Sequence, residues 1–244
     1  MNTALKILHI DSNHPILWEQ LQQSGFINHE DFTSSKEEIE DKIQDYHGIV
    51  IRSRFKIDKK FLDKATNLQF IARVGAGLES IDCDYAIGKN IELIAAPEGN
   101  RNAVAEHTLG MILSIFNNLN NADNEIKSGH WNREKNRGHE LDGKTVGIIG
   151  YGNIGSQLSV LAEGLGMKVI YFDAETKLPL GNAVNVKTLK DLVSKSEIVS
   201  LHVPELPSTK NLINKNLLKS FKKGSILINY ARGEVVDIDA LAKS

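Results

Sequence analysis

The chain of 244 residues has one cysteine, Cys83, almost no excess of either charge sign and no long apolar run. A single thiol excludes an intramolecular disulfide framework and fits a reducing compartment, so the cytoplasm is the expected location. Lys and Arg number 29 against 31 Asp and Glu, a formal charge of -2. No global basic field therefore exists to attract nucleic acid or an anionic membrane, and an anionic ligand has to be held locally. The opening MNTALKILHID soon turns polar, and no stretch reaches the roughly 18–20 apolar residues of a bilayer span. Internal repeats and low-complexity tracts are also missing, and no metal site is expected.

The chain is 41% hydrophobic and 25% charged, ordinary for a protein able to bury a core. Short β-rich apolar runs alternate with amphipathic stretches, the pattern of βα units feeding a parallel sheet. Four runs, LKILHI (5–10), HGIVIR (47–52), LQFIARVG (68–75) and IELIAA (91–96), predict one small sheet. HPILWEQLQQSG predicts a helix stopped at Gly25. The turn-rich APEGNRNAV (96–104) places a domain boundary, giving domains 1–98 and 99–244. After it, Leu109, Met111, Ile112, Ile115 and Phe116 predict one long helix across residues 105–129. A second series of strands follows at KTVGIIG (144–150), KVIYFD (168–173), AVNV (183–186), EIVSLHVP (197–204) and GSILINYA (224–231). The fold class is α/β, as two stacked doubly wound domains.

Gly150, Gly152 and Gly155 form a GxGxxG directly after a strand and at the opening of a helix. The string alone is weak evidence; its context makes it specific. Gly150 makes the tight turn, Gly152 lets backbone approach a pyrophosphate, and Gly155 lets helix and strand pack closely. The N–H groups of Asn153 and Ile154 then face the phosphates at the positive helix end. Asp173 closes the next strand 18 residues after Gly155, where a carboxylate accepts bonds from both ribose hydroxyls and repels a 2′-phosphate. NAD is therefore expected rather than NADP. The bland alternative is a turn that only packs a helix on a sheet, and another dinucleotide is a further one.

Together GYGNIG, LHVPELPSTKNLIN and LINYARGEVVD, preceded by RSR and VGAGLESID, give a sequence that resembles the D-isomer-specific 2-hydroxyacid dehydrogenases from about Lys6 onward. Within that family it is most similar to the branch acting on 3-phosphoglycerate, down to the loop ETKLPLGNA after Asp173. The resemblance implies a flavodoxin-like substrate domain followed by a Rossmann nucleotide domain, with substrate in the cleft. It implies NAD-dependent oxidation of D-3-phosphoglycerate, the first step of serine biosynthesis. Arg232 is then the residue that binds and polarises the substrate carboxylate or carbonyl oxygen, and the N–H groups of Gly75, Ala76 and Gly77 receive the carboxylate, in keeping with an anion-holding turn. Arg52, Ser53 and Arg54 match phosphate-binding positions; alternation along an extended segment sets both guanidinium groups on one side, and their planar forks suit a dianion. Solvated surface charges are the alternative. His202, Val203 and Pro204 match the loop lining the cofactor near the adenine. The long helix matches the element that joins two nucleotide domains into a homodimer, with Arg133 lent to the partner's substrate phosphate.

Oxidising a 2-hydroxy acid needs a base for the hydroxyl proton, a cation at the oxygen, and placement of the hydride-bearing carbon against the acceptor. The resemblance assigns the base to a histidine and a supporting glutamate in motifs later than Arg232. Neither motif occurs here, so the nucleotide domain is expected to lack its last strands and the 244-residue chain to be inactive beside a longer, active parent. Other readings are a glyoxylate or hydroxypyruvate reductase, and a non-catalytic NAD(H)-binding regulator.

Overall fold

The computed structural model describes residues 4–244 and divides at Asn100 into two compact units, Met1–Asn100 and Arg101–Ser244. Among the described residues no helix is long and apolar enough to cross a membrane.

The first unit is a five-stranded, wholly parallel sheet in the order β2-β1-β3-β4-β5. Its strands are β1 (Lys6–His9), β2 (Ile27–Glu30), β3 (Gly48–Ile51), β4 (Phe70–Arg73) and β5 (Glu92–Ala95). Helices α1 (Pro15–Gln23), α2 (Lys36–Lys42), α3 (Lys59–Lys64) and α4 (Cys83–Gly88) lie between them. The β3 sequence GIVI is buried at every position, as a central parallel strand covered on both faces must be. Side-chain caps start the helices: Ser35 builds a capping box with Glu38, and Asp58 and Asp82 accept from Phe61 and Tyr85. α1 stops where Gly25 takes φ +86°. Strand β2 was not expected. It is an edge strand with no buried residue, held by backbone pairing to β1, so INHE carries no apolar signature.

The second unit repeats the plan as β10-β9-β6-β7-β8, again wholly parallel. Its strands are β6 (Thr145–Ile149), β7 (Lys168–Phe172), β8 (Val184–Asn185), β9 (Ile198–Leu201) and β10 (Ile226–Asn229). One face is covered by α5 (Arg101–Phe116) and α7 (Asn153–Glu163), through Ala105, Ile112, Leu158 and Ala162. The other packs Leu192 and Val193 of α8 (Leu189–Lys195) and Leu217 of α9 (Lys215–Leu218), with the short α10 (Ile238–Leu241) beyond.

Two expectations need correcting. The turn before α5 ends at Asn100, and residues 101–104 are already helical. The single long helix is two: α5 stops at Phe116 and α6 (Leu119–Lys127) begins after Asn118, which takes φ +51°. Asparagine enters that left-handed region more cheaply than other side-chain-bearing residues. Here both asparagines also satisfy carbonyls, Asn117 Nδ2 donating to Leu113 O at 3.0 Å and Asn118 Nδ2 to Arg137 O at 3.2 Å. Periodicity sees the apolar face continue across the break but not the bend in the backbone.

Candidate functional site

All strands of the second unit run the same way, so the segments after β6, β7, β9 and β10 leave one edge of the sheet. They carry Gly150, Asp173, His202 and Arg232. At the first, Gly150 takes φ +92°, and a Cβ there would stand 2.6 Å from the His202 carbonyl oxygen. A Cβ on Gly155 would stand 2.1 Å from the Gly150 carbonyl oxygen, which fixes how closely α7 crosses β6. Gly152 is different: it is the N-cap of α7, no side chain caps the helix, and a Cβ would meet nothing within 4 Å. Open space in front of uncapped N–H groups at Asn153 and Ile154 is the arrangement that accepts a pyrophosphate.

Asp173 follows β7. Its Oδ2 accepts from the Tyr151 N–H at 2.7 Å and its Oδ1 from the Glu175 N–H at 2.9 Å. The carboxylate is thereby held between the glycine turn and the next loop, with lone pairs left for ribose hydroxyls. His202 follows β9; its N–H donates to Ile149 O at 2.8 Å, and its Nε2 lies 2.8 Å from Ser200 Oγ. Its Nδ1 is buried and has no partner among the described residues. Burial pushes the imidazole down to about pKa 4, so the ring is neutral at physiological pH. Val203 also abuts the Gly150 turn, and Pro204 O is fixed by Thr209 Oγ1 at 2.6 Å.

Arg232 lies in the turn after β10. Asn229 clamps that turn, its Nδ2 donating to Arg232 O at 2.9 Å and its Oδ1 accepting from the Ala231 N–H at 2.9 Å. Tyr230 meets the His107 ring edge-on with centroids 5.3 Å apart. Asn229 and His107 were not singled out from sequence. Asn229 stands three residues before the arginine, a spacing that fits a side-chain turn; His107 gave no signal.

In the first unit the expected anion groups are partly occupied. The Gly75 N–H donates to Arg73 O at 2.9 Å, which leaves only Ala76 and Gly77 of the expected three amides. The Arg73 side chain lies across this turn: a Cβ on Gly75 would stand 1.5 Å from its Nη1, and its Nε is buried without a partner among the described residues. The expectation that Arg52 and Arg54 share one side also needs correcting, because residues 52–55 form a bend after β3 and the alternation of a strand does not apply. Arg54 turns inward, its Nη1 donating to Ile10 O at 3.0 Å and Asp31 O at 2.7 Å, and its Nη2 to Ser34 O. Arg52 and Ser53 are exposed, and the Arg52 N–H donates to Asp11 Oδ2 at 2.6 Å.

Residues 109–244 match the D-isomer specific 2-hydroxyacid dehydrogenase, NAD binding domain. The chain belongs to that family. It is 42% identical over 244 residues to the D-3-phosphoglycerate dehydrogenase of Haemophilus influenzae, covering 99% of this chain and 60% of that protein. To the enzyme of the same name from Escherichia coli K12 it is 40% identical over 239 residues, covering 97% and 58%. The chain thus spans about 60% of the length of the curated relatives it matches. Among solved structures, D-lactate dehydrogenase from Aquifex aeolicus complexed with NAD and lactic acid aligns with a TM-score of 0.84 at 28% identity, over 98% of this chain and 72% of that one.

As a 2-hydroxyacid dehydrogenase family member, the chain carries the glycine turn, Asp173, His202 and Arg232 inside the matched NAD-binding domain. Arg133 lies in the same region, exposed after α6, beside the 79% exposed indole of Trp131. Glu125 shapes that turn, accepting from Asn132 at 3.1 Å and Asn136 at 2.7 Å.

Proposed function

We propose that the protein serves the NAD-dependent oxidation of D-3-phosphoglycerate to 3-phosphohydroxypyruvate, the first step of serine biosynthesis. The observation that carries this is the convergence, at one edge of a parallel sheet, of an uncapped helix start, an anchored Asp173 and a clamped Arg232. The names of the two curated relatives support the choice of substrate.

The cofactor, when bound, supplies the hydride acceptor. The chain's own residues do the rest. Asn153 and Ile154 N–H groups hold the pyrophosphate, Asp173 takes the ribose hydroxyls, and His202, Val203 and Pro204 line the adenine side. Arg232 binds the substrate oxygen and draws charge onto it, which stabilises the carbonyl as it forms. The N–H groups of Ala76 and Gly77 receive the carboxylate, while Arg52 and Ser53 receive the phosphate. We place Arg54 as the residue that shapes that loop, since its fork is spent on three carbonyls.

A cytoplasmic homodimer completes the reading. Met111, Ile115, Leu119, Ile126 and Trp131 expose apolar surface along α5, α6 and the turn beyond, a composition that suits a pairing face, with Arg133 beside it. One observation favours a second substrate: with Arg54 turned inward, a smaller acid without phosphate, such as glyoxylate or hydroxypyruvate, needs less cationic help. Initial rates with D-3-phosphoglycerate and with D-glycerate, alongside NADH fluorescence titration, separate the two. A preference for D-glycerate selects the second, and absence of NADH binding removes both.

A further inference from the structure

Beyond Asp173 the loop of residues 174–183 forms a built wall. Tyr151 and Tyr171 stack with centroids 3.8 Å apart and 20° between planes. Each hydroxyl pins the loop: Tyr171 Oη donates to Lys177 O at 2.8 Å, and Tyr151 Oη accepts from the Leu180 N–H at 3.2 Å. Asn182 Nδ2 donates to Met167 O at 2.8 Å, and Gly181 takes φ +54° against Glu163, where a Cβ would stand 1.7 Å from Oε2. Lys177 is therefore set at a defined place on an anchored loop.

Between this wall and β7 lies a hollow of about 330 Å³, lined by Asp173, Glu175, Thr176, Lys177 and Asn185 among others. Lys177 is the one cation among the described residues that line it, and its Nζ is 2.5 Å from Glu175 Oε2. The lysine is the half-buried partner and the glutamate the exposed one, with side chains 33% and 76% accessible. The hollow borders the carboxylate that faces the ribose. A phosphate ester on the ribose 2′-oxygen needs a cation there, and the cation present is already paired.

We propose that Glu175 is a second determinant of NAD over NADP: by occupying Lys177 it removes the counter-charge that a ribose 2′-phosphate would need in the hollow beside Asp173. The proposal rests on the reading that this unit seats a dinucleotide. Asp173 rejects the 2′-phosphate by direct repulsion, and Glu175 acts on the lysine that could otherwise offset that repulsion. The two carboxylates are separable, because replacing the Glu175 side chain leaves its N–H bond to Asp173 in place.

The test is fluorescence titration of NADH and NADPH on the wild-type chain, Glu175→Gln, and the double variant Glu175→Gln/Lys177→Gln. Glu175→Gln is expected to raise NADPH affinity relative to NADH by about tenfold, the size of one freed charge-assisted contact. The double variant is expected to return to the wild-type ratio. An unchanged ratio in Glu175→Gln, or a gain that survives loss of Lys177, overturns the proposal while leaving the NAD reading intact. A wild-type chain that binds neither nucleotide overturns the NAD reading and the proposal with it.

Discussion

The two units are built on one plan and differ in what happens after the strand at the centre of each plan. In the first, β1 leads to α1 through a loop in which His14 caps the helix, its Nδ1 accepting from the Ile16 N–H at 3.2 Å, with Pro15 following. In the second, β6 leads to α7 through glycines with no side-chain cap. Around β3 and β4 the charged groups are likewise spent internally: Arg54 on three carbonyls, Asp11 on the Arg52 N–H, the Gly75 N–H on Arg73 O. The same parallel sheet therefore makes either a self-satisfied end or an open anion seat. What decides is whether side chains or a ligand meet the unpaired backbone groups.

The comparison can be broken most severely at Gly155. Gly155→Val forces side-chain atoms into the Gly150 carbonyl, 2.1 Å from the Cβ position. It should cost about 3 kcal/mol or more and abolish NADH binding, read by urea unfolding and fluorescence. A variant that keeps wild-type affinity removes the glycine turn from the site.

Next comes pH. His202 falls from an ordinary 6.5 to about 4 in the fold. A lowered histidine pKa means the fold prefers the neutral ring, so its contribution is full above pH 6.5 and is lost as pH falls toward 4. The expected loss is up to about 3 kcal/mol. Unfolding of the wild type and His202→Asn compared from pH 7.5 to 4 checks this, the variant having the flatter profile.

A smaller effect contrasts two neighbours in the first unit. Arg54→Met leaves three carbonyls short of a donor and should cost about 2 kcal/mol of stability. Arg52→Ala should cost within about 0.5 kcal/mol yet raise KM for D-3-phosphoglycerate. Equal stability losses would undo the division of labour. The smallest effect is at α1, where His14→Ala removes a weak cap and should cost under about 1 kcal/mol with NADH affinity unchanged, since the open seat belongs to the other unit.

Much of this was legible in the chain because local rules carried it. Strands such as GIVI and TVGII read as buried because both faces of a parallel sheet are covered, and the glycine spacing read as a dinucleotide turn because each position needs a missing Cβ. Strand β2 was not legible, because an edge strand is held by backbone pairing that any residues can make. Nor was the break at Asn118, where a single φ ends a helix whose apolar face runs on.

The sequence by itself determined two α/β units, the glycine turn and the acid after β7, since these depend on residue type at short spacing. Only the tertiary structure decided which charged groups remain available to a ligand. Arg54 is consumed by Ile10, Asp31 and Ser34, and Lys177 by Glu175 on a loop pinned by two tyrosines. A guanidinium or an ammonium reads the same in any sequence, and its partners are chosen by which backbone and carboxylate oxygens folding carries to it.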